Sequence, residues 1–487
     1  MSLYSEMLIQ RVLKNQFCRI QDNNRNISYT ELYEEIFRLA AIFNEMGITK
    51  GTKVVLVFDN CIEFLSSIIA LNSIEAVAIP VYFNLGISKL EEINDDLNIN
   101  FLLTNSSRLC NELLKNEFEY KHRFYCTSSE IDILEKRRGS FSDDDEMEDV
   151  ALILLTSGTI SRPKGVMLTN ANVIASINNI SGFLNLNELD KLLIIKNPVH
   201  ISTLVGELFV GIYNQCSFFL SNKLLTPRYF SEKITNENIS VVFATPTILN
   251  DIMKSNIEIN GHSLRMIHFS GEIIKFHTIL EIMRHFSGVT LIQGYGLTEA
   301  APRITQISTE DMLSKENSVG KPIGDQLVSI IDDNGEKCKP FTIGEVLVKG
   351  SNIMKGYYKN NKGLIKDWLH TDDLGYVDHE GYLYIVGRKD NMIIMNGRNI
   401  YPEEIESALL SYDGIKEALV ELIETEDKRY IQASVTVHKT ISVIEIIRFC
   451  TKHLEDYKIP HTIKIVEKIT KTYSGKLLRR SADEKRS

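Results

Sequence analysis

A glycine- and hydroxyl-rich loop behind an apolar run constrains the fold of this chain more than any other segment. Residues 151–155, Ala-Leu-Ile-Leu-Leu, are typical of a buried parallel strand, and TSGTISRPKG follows from Thr156 to Gly165. Such a loop turns N–H groups and hydroxyls inward, as proteins do to hold phosphate oxygens. It is not a Walker P-loop, because glycine follows Lys164 where that motif has serine or threonine. A phosphate-binding loop is therefore expected, with a plain strand-to-helix connection as the alternative. The candidate phosphate ligands are Thr156, Ser157, Gly158, Thr159 and Lys164.

The hydrophobic pattern of the whole chain predicts an α/β protein of more than one domain. Its 487 residues exceed the ~250–300 at which a single core stops growing. Ser28-Tyr29-Thr30-Glu31 is a capping-box pattern that opens an amphipathic helix ending near Gly47. The apolar face of this helix consists of Leu32, Ile36, Leu39 and Phe43. A buried strand is predicted at 54–57, and the alternation of helix and strand signals continues through roughly the first 300 residues.

Two changes of pattern divide the chain further. From near residue 320, the segments 328–332 and 345–348 with the turn at 333–335 indicate a region rich in β-hairpins. From about Asn391 the pattern is that of a small α+β unit, roughly a hundred residues long, which can form a modest core. We therefore predict an N-terminal domain over 1–389, with a β-rich subdomain over about 318–387, and a C-terminal domain over 390–487.

Composition and charge disfavour several classes of function. A net charge of −10 argues against nucleic acid or anionic membrane as a main partner. The seven cysteines are scattered without metal-ligand spacing, which fits a reduced protein without disulfides or zinc. No apolar run approaches the ~20 residues that a bilayer requires, and the first residues lack a signal-peptide pattern. We expect a cytoplasmic protein with no membrane span.

Four further motifs follow the loop in a defined order. They are Gln293 to Glu299 (QGYGLTE), Thr371 to Asp373 (TDD), Gly387 to Asp390 (GRKD) and Thr472 to Lys476 (TYSGK). The ordered set resembles the superfamily of acyl-adenylate-forming enzymes, which contains acyl- and aryl-CoA synthetases, adenylation domains of nonribosomal peptide synthetases and beetle luciferases. The resemblance runs from Ile27 to Lys476. It implies a large N-terminal domain of α/β sheets with a β-barrel-like subdomain, and a small, mobile α+β C-terminal domain.

The resemblance implies an ATP site around the first of these motifs. By resemblance, Tyr295 stacks on adenine, Thr298 contacts the α-phosphate, and Glu299 helps to hold Mg²⁺, which prefers hard oxygen ligands. Gly294 and Gly296 flank the tyrosine and would let a ligand approach closely. A capped loop with a surface glutamate is the structural alternative.

Three more groups complete the implied nucleotide site. Ser270-Gly271-Glu272 resembles the stretch that edges the adenine pocket, although it could be a structural turn after a strand. Asp373 and Arg388 resemble the residues that bind the ribose hydroxyls, with a salt-bridged loop pair as the alternative. Lys476 resembles the lysine that bridges carboxylate and phosphate oxygens, a role suited to a compact cation on a flexible stem. A solvated lysine in a basic tail is its alternative.

His200 bears on the choice of acid. Amino-acid-activating members of the superfamily carry an aspartate where we align His200, and that aspartate pairs with the substrate ammonium. Burying an α-ammonium without a carboxylate would cost on the order of several kcal/mol. A fatty or aryl acid is therefore expected, and a core histidine with satisfied hydrogen bonds is an equal alternative for His200.

The C-terminal motifs bear on the acceptor of the acyl group. Gly397, Arg398 and Asn399 begin a run that resembles the segment beside the CoA tunnel of acyl-CoA ligases, and Asp390 resembles the hinge residue between the domains. Fatty acyl-AMP ligases, which load carrier proteins, have a similar run. The interval from Glu299 to Asp373 is too short for the insertion that those enzymes carry.

We therefore expect an acid–thiol ligase that uses ATP and Mg²⁺ to make acyl-AMP and pyrophosphate, and then transfers the acyl group to CoA. Transfer to a carrier-protein phosphopantetheine is the first alternative. A non-catalytic nucleotide-binding relative and a luciferase-like oxygenase are alternatives of other classes. The chain departs from the family pattern at Ile160 and Ser161, where threonine and glycine are usual, so the phosphate loop has one hydroxyl fewer at Ile160 to bind pyrophosphate. It also departs at Thr470, where proline is usual.

Overall fold

The computed structural model describes most of the chain. The described residues are 3–14, 17–114, 118–126, 129–136, 147–156, 164–223, 225–255, 257, 263–271, 274, 276–360, 364–395, 398–425, 428–471, 477 and 479. Within them, no helix has both the length and the apolar character needed to cross a bilayer.

The first part of the chain alternates helices and strands, as its hydrophobic pattern predicts. These elements are α1 (Leu3–Lys14), β1 (Arg19–Gln21), β2 (Asn26–Ser28), α2 (Tyr29–Glu45), β3 (Lys53–Phe58), α3 (Ile62–Ser73), β4 (Val77–Tyr82), α4 (Ile87–Leu97), β5 (Phe101–Thr104), α5 (Ser107–Leu113), β6 (Phe118–Cys126), β7 (Ser129–Lys136) and β8 (Val150–Thr156). Strand β3 is buried along its whole length and runs parallel to both β4 and β5. A strand covered on both faces must be apolar throughout, which explains the Val-Val-Leu-Val run at 54–57.

Helix α2 confirms the predicted capping box. The Ser28 hydroxyl accepts from the Glu31 N–H at 3.2 Å, and Glu31 Oε2 accepts from the Ser28 N–H at 2.7 Å. The predicted apolar face is fully buried, and Gly47 follows the helix with a φ of 86°, a conformation that favours glycine.

Most strands in the middle of the chain form a mostly parallel sheet of nine strands. The elements of this part of the chain are β9 (Lys164–Thr169), α6 (Asn170–Leu184), β10 (Lys191–Ile194), α7 (Ile201–Thr203), α8 (Val210–Tyr213), β11 (Ser217–Leu220), α9 (Pro227–Asn236), β12 (Val241–Ala244), α10 (Pro246–Lys254), β13 (Met266–Ser270), α11 (Phe276–His285), β14 (Thr290–Tyr295), β15 (Thr305–Ser308), α12 (Thr309–Ser314) and β16 (Lys321–Pro322). Of these strands, β9 pairs with β8 in the other large sheet. A π-helical turn, Leu204–Phe209, joins α7 to α8. The nine-stranded sheet has the order β16-β15-β14-β13-β12-β10-β11-β1-β2. Because β13 and β14 are parallel neighbours, their carboxyl ends lie side by side, where α/β sheets commonly bind ligands.

Residues 327–388 contain a smaller β-sheet. The strands of this part of the chain are β17 (Leu327–Ile331), β18 (Gly344–Lys349), β19 (Gly356–Tyr357), β20 (Leu364–Ile365), β21 (Trp368–Val377) and β22 (Leu383–Arg388). Five of these strands form one sheet, whereas β19 pairs with β9 and so joins an eight-stranded sheet of order β19-β9-β8-β4-β3-β5-β7-β6. The chain before Arg388 therefore contacts the eight-stranded sheet through β19.

The last part of the chain is a small α+β unit. It comprises β23 (Ile393–Met395), β24 (Arg398–Ile400), α13 (Pro402–Leu410), β25 (Ile415–Glu424), β26 (Arg429–Val437), α14 (Val443–His453) and β27 (Thr462–Ile465). Its hydrophobic cluster draws its buried members from residues 393–463. The fold class, with its large α/β part and small C-terminal part, is confirmed, whereas the hinge and the exact domain bounds stay predictions.

Candidate active site

Strands β8 and β9 hold the two ends of the predicted phosphate loop. The strands are antiparallel, Thr156 lies opposite Lys164, and the Thr156 hydroxyl is 3.5 Å from the Lys164 carbonyl oxygen. Ser157, Gly158 and Thr159 lie outside the described residues. The plain strand-to-helix connection is wrong: the apolar residues after Lys164 pair with β8, and α6 begins only at Asn170.

Lys164 and Glu299 both contact Tyr357, a residue that the sequence motifs do not contain. Lys164 Nζ is 5.0 Å from the centroid of the Tyr357 ring, and the Tyr357 phenol donates to Glu299 Oε1 at 2.8 Å. Burial and the Glu299 carboxylate raise the pKa of Tyr357 well above its usual range, so the phenol remains a donor. Glu299 is held in the 3₁₀ turn Thr298–Ala300, directly after β14 and Gly296. This carboxylate is a hard oxygen ligand next to the predicted phosphate loop, which fits a Mg²⁺ ion bound to phosphate.

Tyr295, Asp373 and Arg388 form a hydrogen-bonded group. Tyr295 ends β14, and Asp373 faces Arg388 across β21 and β22. The Tyr295 phenol donates to Asp373 Oδ2 at 2.5 Å, and the Arg388 guanidinium donates to Asp373 Oδ1 at 3.0 Å. Burial and the Asp373 carboxylate hold the pKa of Tyr295 well above its usual range. The buried Asp373 carboxylate is therefore oriented by two donors, one on each oxygen. Each carboxylate oxygen can accept a further hydrogen bond, so the group has the capacity to bind two ribose hydroxyls.

The predicted adenine-edge segment lies next to Tyr295. Ser270, the last residue of β13, is buried and pairs with Gly294, whereas Glu272 lies outside the described residues. Gly271 has a φ of 96°, so a left-handed turn leaves the strand there.

The glycines that flank Tyr295 are constrained by the protein itself. A Cβ atom at Gly296 would overlap the Pro302 carbonyl oxygen, and one at Gly294 would lie 3.0 Å from His268 Nε2. From the sequence, these glycines are expected to let a ligand approach closely. In the structure their nearest neighbours are protein atoms, because the chain folds back over them after Ala301.

His200 occupies the N-cap position of the short helix α7, without a cap hydrogen bond from its side chain, and is half-buried. Its Nε2 is 3.2 Å from the Tyr82 hydroxyl, and the two rings meet edge to face with centroids 5.5 Å apart. Burial raises the pKa of Tyr82 to about 12, so this phenol is neutral. Tyr82 thus gives His200 an aromatic and uncharged neighbour. Such a neighbour supplies no negative charge for an ammonium group, so it suits an acid that lacks one.

The predicted hinge and CoA segment follow β22. Asp390 Oδ2 lies 3.6 Å from Arg388 Nη2, and Asn391 donates to Glu403 at the start of α13 at 2.5 Å. Arg398 lies on β24 with its guanidinium carbon 4.5 Å from the centroid of the Tyr457 ring, and Asn399 beside it is exposed.

Two predicted residues of the C-terminal part, Gly397 and Lys476, lie outside the described residues. Lys471 and Leu477, which flank the predicted lysine loop, form an isolated antiparallel bridge.

The structure also reveals buried polar residues that sequence reasoning missed. His268 and Arg303 are buried next to Gly294, and the Lys196–Glu207 ion pair interacts electrostatically with them. Charged residues inside apolar segments, such as Glu207 within 204–210, were the available signal. Burying a charge costs free energy unless it is paired, so such residues require an explanation.

Comparisons with known proteins identify the family of the chain and several relatives. The model of the AMP-binding enzyme family matches residues 11–358, and that of the AMP-binding enzyme C-terminal domain matches residues 404–476. The chain is 30% identical to a 2-succinylbenzoate–CoA ligase of Bacillus subtilis, over 95% of this chain and 94% of that protein. It also resembles the solved structure of O-succinylbenzoate coenzyme A synthetase from Bacillus subtilis with ATP and magnesium, at 27% identity and a TM-score of 0.83, covering 97% of this chain and 98% of that one. The same synthetase in complex with its acyl-adenylate intermediate matches with a TM-score of 0.83 at 27% identity, covering 97% of this chain and 96% of that one.

Proposed function

The chain belongs to the family of AMP-binding enzymes, and we propose that it converts 2-succinylbenzoate, or a closely similar aryl acid, into the coenzyme A thioester. The reaction class is that of an ATP-dependent acid–thiol ligase. The acid attacks the α-phosphate of ATP to give acyl-AMP and pyrophosphate, and a thiol then displaces AMP to give the thioester. The observation that carries the choice of acid is the similarity, along 95% of the chain, to a ligase named for that acid.

The described residues fit the binding of ATP and magnesium. ATP supplies the activated α-phosphate, and Mg²⁺ bound near Glu299 would offset the negative charge of the phosphates. Asp373 would accept hydrogen bonds from the ribose hydroxyls, and the donors Tyr295 and Arg388, which contact its carboxylate, support this role. Thr156 and Lys164 hold the ends of the phosphate loop beside Glu299. Lys476 stays the predicted cation for charge that develops between acid and phosphate.

The surroundings of His200 favour an acid without an α-ammonium group. Tyr82, the neighbour of its imidazole, is neutral, and the nearest acidic residue along the helix, Glu207, is already paired with Lys196 at 2.5 Å. A substrate ammonium would therefore lack a free carboxylate from this helix. An uncharged aromatic group next to Tyr82 and His200 would lose little on desolvation.

The acceptor distinguishes the proposal from its main alternative. Coenzyme A and a carrier protein present the same phosphopantetheine thiol, so the short interval from Glu299 to Asp373 and the names of the relatives favour coenzyme A. A carrier protein would in addition need a docking surface on this chain.

Two assays test the proposal. Pyrophosphate exchange into ATP should depend on 2-succinylbenzoate and stay at background with each proteinogenic amino acid. Mass spectrometry of the reaction with coenzyme A, or with a phosphopantetheine-loaded carrier protein, should then detect thioester on coenzyme A. Saturable exchange with an α-amino acid would contradict the proposed substrate, and faster transfer to the carrier protein would contradict the proposed acceptor.

A further inference from the structure

A cluster of buried charges lies behind Gly294, at the carboxyl end of β14. Lys196 Nζ lies 2.5 Å from Glu207 Oε1, and the side chains of this pair are 9% and 0% exposed. Arg303 is 3% exposed, and His268 is fully buried. Burial and the charges of Arg303 and Lys196 hold the pKa of His268 well below its usual range, so its imidazole is neutral. Two cations thus share one carboxylate, which leaves the cluster with one positive charge in excess.

Lys196 makes the ion-pair contact with Glu207, so Arg303 is the cation of the cluster that lacks such a contact among the described residues. Its Nε and Nη2 are buried and have no hydrogen-bond partner among the described residues. Nδ1 of His268 is in the same situation, whereas its Nε2 lies 3.1 Å from Gln306 Nε2. Guanidinium and imidazole are neighbours, since a Cβ atom at Gly294 would lie 3.1 Å from Arg303 Nε and 3.0 Å from His268 Nε2. Buried donors of this kind are normally satisfied, so these groups indicate a ligand.

The chemistry of Arg303 selects the kind of ligand group. Burial lowers the pKa of Arg303 to about 10 despite the opposing field of Glu207, so the guanidinium is still charged at neutral pH. A buried cation without a full counter-charge is unfavourable, and a carboxylate would supply both the missing charge and a bidentate pair of acceptors. A neutral group would supply acceptors but would leave the excess charge.

The location of Arg303 assigns this carboxylate to the acid substrate. Gly294, which is next to Arg303, lies in the predicted nucleotide site: it pairs with Ser270 on the neighbouring strand. The next residue, Tyr295, contacts the predicted ribose ligand Asp373 through its phenol. Glu207 lies on the π-helical turn that follows His200 and α7. The cluster therefore lies between the predicted nucleotide site and the segment next to the predicted acid site.

We propose that Arg303 binds a second, non-reacting carboxylate of the acid, so that the enzyme selects dicarboxylic aryl acids. This inference rests on the proposed function, because 2-succinylbenzoate carries one carboxylate on its ring and one on its chain and only one of them is adenylated. The Lys196–Glu207 pair keeps the rest of the cluster neutral, and the glycines at 206 and 294 leave room for the guanidinium.

The test compares 2-succinylbenzoate with two monocarboxylic analogues, 4-oxo-4-phenylbutanoate and 2-butanoylbenzoate, each of which lacks one carboxylate. We expect the wild type to use either analogue with a kcat/KM about 100-fold or more below that of the diacid, because buried donors would be left unpaired. In Arg303→Met, kcat/KM for the diacid should fall by about the same factor, while the analogue that reacts should change less than about threefold. Arg303→Lys should recover part of the diacid activity.

Stability measurements distinguish this role from a structural one. Arg303→Met removes an uncompensated cation and leaves Lys196 paired with Glu207, so the Tm of the unliganded protein should not fall. The diacid should raise the Tm of the wild type and not that of the variant. Arg228→Met, at a side chain that is 83% exposed, is the matched control and should behave as the wild type in every assay.

The outcomes separate the two proposals. Equal loss of activity on the diacid and the analogue in Arg303→Met, or no loss on either, would overturn the role of Arg303 while 2-succinylbenzoate remained the substrate. A wild type that activates another dicarboxylic aryl acid instead would overturn the proposed substrate, and the same comparison on that acid would then decide the role of Arg303. A wild type that prefers monocarboxylic acids would contradict both.

Discussion

The contact between Tyr295 and Asp373 leads to a quantitative prediction about ATP binding. Tyr295→Phe keeps the aromatic ring but removes the phenol that donates to Asp373 at 2.5 Å. A hydrogen bond to a charged group contributes about 1.5–3 kcal/mol. Arg388 still donates to the other carboxylate oxygen, and Tyr295 is only half-buried, so we expect the lower end of this range. About 1.5 kcal/mol corresponds to a roughly tenfold higher KM for ATP.

The assay is pyrophosphate exchange at saturating acid with varied ATP. We expect kcat to change less than about threefold, because the phenol orients a ribose ligand and does not act on the reacting phosphate. Tyr376→Phe is the matched control: this ring stacks on Tyr384 at 4.8 Å on the same small sheet, and its loss of a hydroxyl should leave the KM for ATP unchanged. An unchanged KM in Tyr295→Phe, or a fall in kcat with no change in KM, would refute the assigned role.

Four further predictions follow from other parts of the chain. Lys476→Ala should lower pyrophosphate exchange by about a hundredfold or more while ATP binding, measured by calorimetry, persists, because one electrostatic stabiliser of the transition state is removed; near-normal exchange would contradict this. Asp390→Pro should fix φ near about −65°, spare acyl-AMP formation and slow thioester formation, as measured by single-turnover assays, whereas equal loss of both would indicate misfolding. Ser28→Ala and Ser442→Ala each remove a capping box and should each cost about 1 kcal/mol; in calorimetry of the full chain, we expect only the second to lower the transition of the C-terminal unit, and a common shift would contradict separate domains. Asp190→Asn should lower the free energy of unfolding by about 3 kcal/mol at pH 7, because Arg265 donates to both oxygens of the buried carboxylate, at 2.6 and 2.7 Å. These bonds lower the pKa of Asp190 below its usual 3.8, against the opposing effect of burial. The difference in the free energy of unfolding, measured by urea titration at a series of pH values, should therefore be constant from pH 7 to pH 5 and diminish only below about pH 4.

Local signals in the sequence predicted much of the fold. The capping box of α2 and the buried strand at 54–57 depend on neighbouring residues, and both are confirmed. The ordered motifs predicted the family, the α/β class and an ATP-dependent acid–thiol ligase, which the family match and the relatives confirm. The roles of individual site residues and the hinge at Asp390 stay predictions.

Contacts between distant segments could not be predicted from the sequence. Tyr357 reaches Glu299 because the two-residue strand β19 leaves the small sheet and pairs with β9, a pairing without a periodic signal. Lys196, Glu207 and Arg303 interact because separate segments of the chain place them against one another, and no spacing in the sequence links the three. Long-range packing, and not local propensity, creates this charged cluster.

A single-turnover experiment tests the central claim most directly. The enzyme is mixed with 2-succinylbenzoate, ATP and Mg²⁺ without coenzyme A, quenched, and assayed by mass spectrometry; coenzyme A is then added to a parallel sample. We expect enzyme-bound acyl-AMP to accumulate with one pyrophosphate released per acyl-AMP, and then to disappear as AMP and the coenzyme A thioester form in equal amounts. Formation of ADP and phosphate, or an acyl-AMP that persists after coenzyme A is added, would contradict the account.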